Sequence, residues 1–204
     1  MIFPAFYFGP ISYFAELVKA DDYRLEAFEH FPKQTYRNRC YIQGANGKLR
    51  LAIPTQHNGA RAMKEIEISD EYNWQKEHFK SLVSAYKSSP YFEFYEDDLA
   101  PIFEKKEKYL LDLNLKTIEF ISTKLKLDLK LNLTENYETV SEKLDFRNQF
   151  NAKEEPIGDF PEYFQVFDDK FDFMPDLSIL DLLCNEGPKA ATYLQEFIIK
   201  KTHK

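Results

Sequence analysis

The chain has 204 residues, enough for one ordinary domain, and its 44% apolar and 16% aromatic content supplies a core and argues against wholesale disorder. A net charge of -7 argues against a general nucleic-acid binder, which needs a basic footprint to neutralise phosphates. Two cysteines, Cys40 and Cys184, point to a reducing compartment without a disulfide framework, and no apolar run approaches the roughly 20 residues that span a bilayer. Pro4, Gly9 and Pro10 interrupt any secretory leader, so the expectation is a cytoplasmic protein.

Residues 4–10 read as a ring-rich strand or loop bounded by prolines. Pro10 suits the first turn of a helix, where its missing N–H costs nothing. Ile11, Phe14, Leu17 and Val18 form one buried stripe on that helix, and Asp21-Asp22 closes it. Residues 23–28 read as a strand and 34–39 as a polar loop. The clearest β signal is 39–53, where Cys40-Tyr41-Ile42-Gln43 and Leu49-Arg50-Leu51-Ala52-Ile53 flank Gly44-Ala45-Asn46-Gly47. The Asn-Gly pair favours positive φ and hence a hairpin. Residues 66–68 are a short extended piece. Ser69 or Asp70 caps a helix carrying Trp74, His78, Leu82, Val83 and Tyr86, which Pro90 ends.

A long helix follows from 99 to 125, and Leu127, Leu129, Leu131 and Leu133 then alternate with polar residues as a half-buried strand. Residues 134–159 turn polar and read as a surface excursion, or as a helix and loop covering a site. An aromatic patch with a possible strand occupies 161–171. Asp176 or Ser178 caps a helix through Cys184, Gly187 stops it, and Pro188 starts the last helix. This order predicts an α/β fold: a central mixed sheet of about five strands flanked by helices, with a helical C-terminal section and an α+β arrangement as the alternative. One domain, 1–204, is expected, with 1–133 as its α/β core and 134–204 packed on it.

No phosphate loop, GxSxG, HExxH or CxxC occurs. Four histidines, at 30, 57, 78 and 203, and isolated cysteines do not make a zinc site, so no metal is expected and no cofactor is identified. Arg37 and Arg39 bracket Asn38 just before a strand. Two planar guanidinium forks so placed suit a phosphate or carboxylate, and the plainer reading is a solvated loop facing an acidic surface. Trp74 and His78, four apart, share a helix face: imidazole supplies a proton carrier near neutral pH, and the alternative is a half-buried, hydrogen-bonded pair. Asp181 and Asn185 repeat that spacing on an apolar helix, where they either anchor a loop or line a pocket. Glu65 and Glu67, Asp97-Asp98 and Asp168-Asp169 read as wet-face, turn or cap acids.

The stretches FPAFYFGPISYFAELVKAD, YRNRCYI, LRLAIPT, IEISDEYNWQKEHFKSLVSAYKSSPYF and FMPDLSILDLLCNEGPKAATYL together resemble the WbqC-like family of bacterial proteins. The family takes its name from a protein encoded with O-antigen biosynthesis. The resemblance implies a cytoplasmic bacterial protein, a transferase or ligase acting on an activated sugar or related small molecule in cell-surface polysaccharide synthesis. The alternative is a non-catalytic binding or assembly protein of that pathway. Under the first reading His78, Arg37 and Arg39 carry the chemistry, with Tyr7, Tyr13, Asn38, Trp74, Asp181 and Asn185 around the ligand. Relatives carry acids in the second strand, where this chain has only Glu26 and Glu29. The opening strand, Gly/Pro turn and helix are also similar to nucleotidylyltransferase-like Rossmann domains, in fold alone, because the His-x-x-His signature is replaced by FYFGPISYF.

Overall fold

The ring-rich start of the chain builds a β-α-β unit. In the computed structural model, which describes residues 1–56, 58–156 and 158–197, β1 (Ile2–Pro4) and β2 (Arg24–Glu26) lie parallel, with Ile2 opposite Arg24 and Pro4 opposite Glu26. The connection is α1 (Ile11–Lys19), which starts behind Pro10 and buries Ile11, Phe14 and Leu17. Parallel strands need such a crossover. Single-residue bridges extend the patch on both sides: Asp145 beside Ile2, and Leu133 beside Leu25, both parallel. His57 and His203 lie outside the described residues.

The hairpin forms where the Asn-Gly signal places it. β3 (Arg39–Gly44) and β4 (Gly47–Ala52) pair antiparallel with Cys40 opposite Leu51 and Gly44 opposite Gly47. Gly47, at φ 100°, supplies the positive dihedral that the tight return requires. Against the hairpin packs α2 (Trp74–Tyr86), whose N-cap is Asn73, its side chain accepting the Lys76 N–H. The cap is therefore Asn73 rather than Ser69 or Asp70. α3 (Glu96–Glu104) and α4 (Leu110–Lys124) follow, then α5 (Ile179–Glu186), capped by Ser178, and α6 (Ala190–Glu196). Gly187 stops α5 at φ 55°.

The central sheet of about five strands is not what the described residues form. They form two separate two-stranded sheets, one parallel and one antiparallel. Two expected elements account for the difference. In residues 127–133, Leu127, Leu129 and Leu131 pack half-buried against the core, but the segment meets a neighbouring strand only at Leu133, which is exposed. The single long helix of 99–125 is two helices, because Lys108 and Leu110 give their backbone groups to Ile68 and Ile66 at 2.9 Å, turning the polar run between them into a short antiparallel pairing. Residues 161–171 form turns and loop rather than a strand.

The polar segment 134–159 contributes to the interior. Phe146 stacks on Phe3 with centroids 4.2 Å apart, Phe150 meets Phe6 and Tyr13 edge-on, and the Arg147 side chain is buried. No helix among the described residues is long and apolar enough to cross a membrane.

Candidate functional site

Four stretches meet where α2 begins: residues 5–8, 36–39, the end of β4 at 52–53, and the first turn of the helix. Residues 5–8 are irregular yet wholly buried, so their backbone groups need partners. α4 supplies them. Asn114 Nδ2 donates to the carbonyls of Ala5 (2.9 Å) and Arg37 (2.8 Å), and Thr117 Oγ1 accepts the Phe8 N–H at 3.3 Å. The Tyr7 N–H donates to the Tyr36 carbonyl at 3.0 Å. Asn38 ties the loop to β4: its Nδ2 donates to the Ile53 carbonyl at 3.0 Å and its carbonyl accepts the Ile53 N–H at 2.8 Å.

This scaffold brings Tyr7, Trp74 and His78 together. The His78 ring lies 5.1 Å from the indole and 5.8 Å from the Tyr7 ring, centroid to centroid. Tyr7 Oη and His78 Nδ1 are 3.0 Å apart. A Tyr7 hydroxyl that donates to Nδ1 requires the tautomer carrying its proton at Nε2. Burial lowers the His78 pKa to about 4, against a smaller upward pull from Ala52, so the ring is neutral at pH 7. Burial likewise pushes the Tyr7 phenol well above its usual value. Tyr13 is also buried, donates its hydroxyl to the Pro4 carbonyl at 2.8 Å and packs on Phe6.

The two arginines part company. Arg37 makes a bidentate pair with Glu29 (Nε–Oε1 2.6 Å, Nη2–Oε2 2.7 Å) and donates Nη2 to the Arg147 carbonyl at 2.9 Å. Arg147 in turn binds Glu26, itself fully buried, at 2.9 Å, and Asp145 at 2.5 Å. Burial raises the Glu29 pKa against the opposing pull of Arg37. These five charges lock the second strand, the 35–37 turn and the 145–147 segment together.

Arg39 is different: it is 9% exposed and its side chain makes no hydrogen bond or ion pair with any described residue. It sits opposite Ala52 in the hairpin. Two further polar atoms of this junction, Asn38 Oδ1 and Trp74 Nε1, are buried without a hydrogen-bond partner.

Asp181 lies apart from that junction, on α5. Its Oδ1 accepts the Tyr86 hydroxyl (2.9 Å) and its Oδ2 accepts the Tyr163 hydroxyl (2.6 Å) and Gln165 Nε2 (3.0 Å). Burial raises its pKa, opposed by those donors. Asn185 donates Nδ2 back to the Asp181 carbonyl at 2.8 Å. Among the described residues no group of three or more His, Cys, Asp or Glu side chains is placed to hold a metal ion. Both cysteines are buried free thiols, and burial pushes Cys40 up to about 12.

The WbqC-like protein family model matches residues 5–155, which span the aromatic start, the Arg37–Arg39 turn, the hairpin, α2 to α4 and Arg147. The chain belongs to the WbqC-like protein family. An uncharacterized protein, Rv1507c, of Mycobacterium tuberculosis (strain ATCC 25618 / H37Rv) is 28% identical over 217 residues, covering 93% of this chain and 91% of its own length. No solved structure gives a significant match.

Within this WbqC-like chain the sequence reading passed over Asn114, Thr117 and Arg147. Asn114 and Thr117 stand three apart on α4, both fully buried among apolar neighbours, and a polar pair at that spacing was the available signal. Arg147 carried none, because it lies in a polar run that reads as surface.

Proposed function

We propose that this chain binds a small metabolite bearing a phosphate or carboxylate, with an activated sugar as the favoured class, at the junction of β3, β4 and α2. The biological setting is bacterial cell-surface polysaccharide synthesis, as family membership suggests. One observation carries the reading: Arg39 is a nine-tenths buried residue whose Nε is buried without a hydrogen-bond partner and whose guanidinium pairs with no acid among the described residues. A buried cation is held at a large desolvation penalty unless an anion compensates it. Guanidinium forks fit phosphate and carboxylate oxygens in two-point contact. The indole N–H of Trp74 and the amide oxygen of Asn38, both buried without a partner, offer a donor and an acceptor on the neighbouring stretches, which suits a ligand carrying hydroxyl groups as well as charge.

Binding without chemistry is the favoured form of this reading. His78 is neutral, its Nδ1 is engaged by Tyr7, and Arg37 is consumed by Glu29. The transferase or ligase reading draws on the Tyr7–His78 hydrogen bond, which would let a displaced Tyr7 hydroxyl hand its place at Nδ1 to an acceptor hydroxyl.

The test is a thermal-shift series with nucleotide sugars, nucleoside diphosphates and inorganic phosphate on the wild type and on Arg39→Gln. A ligand that binds only the folded state raises the midpoint by mass action. A shift in the wild type that is lost in Arg39→Gln is expected. A shift of equal size in both proteins, or none with any anion, sinks the reading.

A further inference from the structure

A cavity of about 830 Å³ lies away from this junction, in the C-terminal loop that runs from Gly158 to Pro175. That is the size of a small-molecule site. Its walls are aromatic: Phe160, Tyr163, Phe164, Phe171 and Phe173. Its rim carries Glu162, Asp168 and Asp172, and among the described residues no basic side chain lines it. None of those three carboxylates makes an ion pair with a described residue. The nearest cation of the loop, Lys170, is solvent-exposed and sits over the Phe167 ring at 5.7 Å, outside the lining.

The loop is held in shape rather than left to drape. Gln165 takes the Met174 N–H on Oε1 (2.9 Å) and returns Nε2 to the Met174 carbonyl (3.0 Å), closing the stretch between them. The Phe167 N–H is fixed to Gln43 Oε1 on β3 at 3.3 Å. Tyr163 is pinned by its hydroxyl on buried Asp181, and Phe173 meets its ring edge-on at 5.2 Å. A preformed wall of rings spends little ordering entropy on a ligand.

We propose that this groove binds a small organic cation, an ammonium group carried on an apolar body. Ring faces are negative by their quadrupole, and the rim carboxylates are negative outright, so both terms attract a cation. An anion is repelled by the rim. A neutral apolar ligand gains only the contact with the rings. The inference does not rest on the anion reading for Arg39, since the two sites share no residue.

The test is titration of the full-length, isotope-labelled protein with choline and with phenethylamine, against 3,3-dimethylbutanol, the neutral carbon isostere of choline. Saturable amide shifts confined to the loop between Phe160 and Phe173 are expected for the amines and not for the alcohol. Phe164→Ala, at a ring already 47% exposed and so dispensable for folding, should weaken binding about two- to fivefold. Asp168→Asn with Asp172→Asn should weaken it further and remove its salt dependence. The alcohol binding as tightly as choline would reduce the groove to an apolar surface and overturn the proposal. So would the absence of loop shifts with both amines in a protein whose spectrum is well dispersed, or amine shifts that map elsewhere.

Discussion

Asp176 joins the start of α1 to the segment ahead of α5, and its ionisation should work against the fold. Its Oδ1 accepts the Ser12 N–H at 2.7 Å and its Oδ2 the Ser12 hydroxyl at 2.8 Å, at a backbone φ of 52°. Burial raises its pKa from 3.8 to about 6, although Ser12 and the Lys48 charge pull it down. The folded protein therefore holds this proton more tightly than the unfolded chain. Its contribution to stability is full below pH 3.8 and is lost as the pH rises through about 6. Two pKa units correspond to about 3 kcal/mol. Asp176→Asn keeps an acceptor for the Ser12 N–H, can donate Nδ2 to the hydroxyl, tolerates positive φ and does not ionise. Urea unfolding of both proteins from about pH 4 to about pH 7.5, followed by Trp74 emission, gives the difference, from which other titrating groups cancel. The variant should gain about 3 kcal/mol on the wild type across that range. A difference that is flat with pH, or that favours the wild type as pH rises, refutes the argument.

Three further outcomes follow from the same geometry. The His78 ring, with its pKa lowered to about 4, contributes stability above pH 6.5 that is lost as the pH falls through about 4; its NMR titration should show no midpoint between about pH 5.5 and 7.5, and a midpoint there contradicts the buried neutral ring. Arg37→Met leaves Glu29 alone in the interior and should cost about 3–5 kcal/mol in chemical denaturation, whereas Glu29→Leu combined with Arg37→Met should cost less; an equal or larger loss in the double variant counts against the pairing. Gly187→Ala places a methyl group 2.5 Å from the Tyr91 ring at φ 55°, while Gly59→Ala meets nothing within 4 Å at φ 85°. The first should lose about 2–4 kcal/mol and the second about 1, and equal losses would mean that backbone strain alone matters at Gly187.

What the sequence made legible was local. Pro10, the Asn46-Gly47 pair, Ser178 and Gly187 each act within a few residues, and each marks the boundary that forms. The failures are long-range. Nothing within 99–125 announces that Lys108 and Leu110 find backbone partners at 66–68, and that pairing splits the helix. The alternation of 127–133 correctly gave its buried face, but alternation says which side is wet and not whether a neighbouring strand exists. The aromatic loop beyond residue 158 was visible as a patch. Its closure was not, because it depends on Gln165 returning to Met174 and on Asp181 reaching back to Tyr163.

The same limit explains why two arginines two residues apart have different fates. By type and spacing Arg37 and Arg39 are interchangeable, and either suits an anion. Arg37 precedes the strand, in a turn that aims it at Glu29, eight residues upstream, and at the carbonyl of Arg147, far downstream. Its donors are spent on the fold, so its removal tests stability and says nothing direct about a ligand. Arg39 is already in β3, and no acid among the described residues answers it. The deeply buried carboxylates Glu26, Asp176 and Asp181 are each hydrogen-bonded, whereas among the described residues the buried Arg39 has no ion-pair partner. Departures of that kind, tolerated against the general rule, are where function is expected. For this reason Arg39→Gln, and not Arg37→Ala, is the substitution that separates a binding role from a structural one.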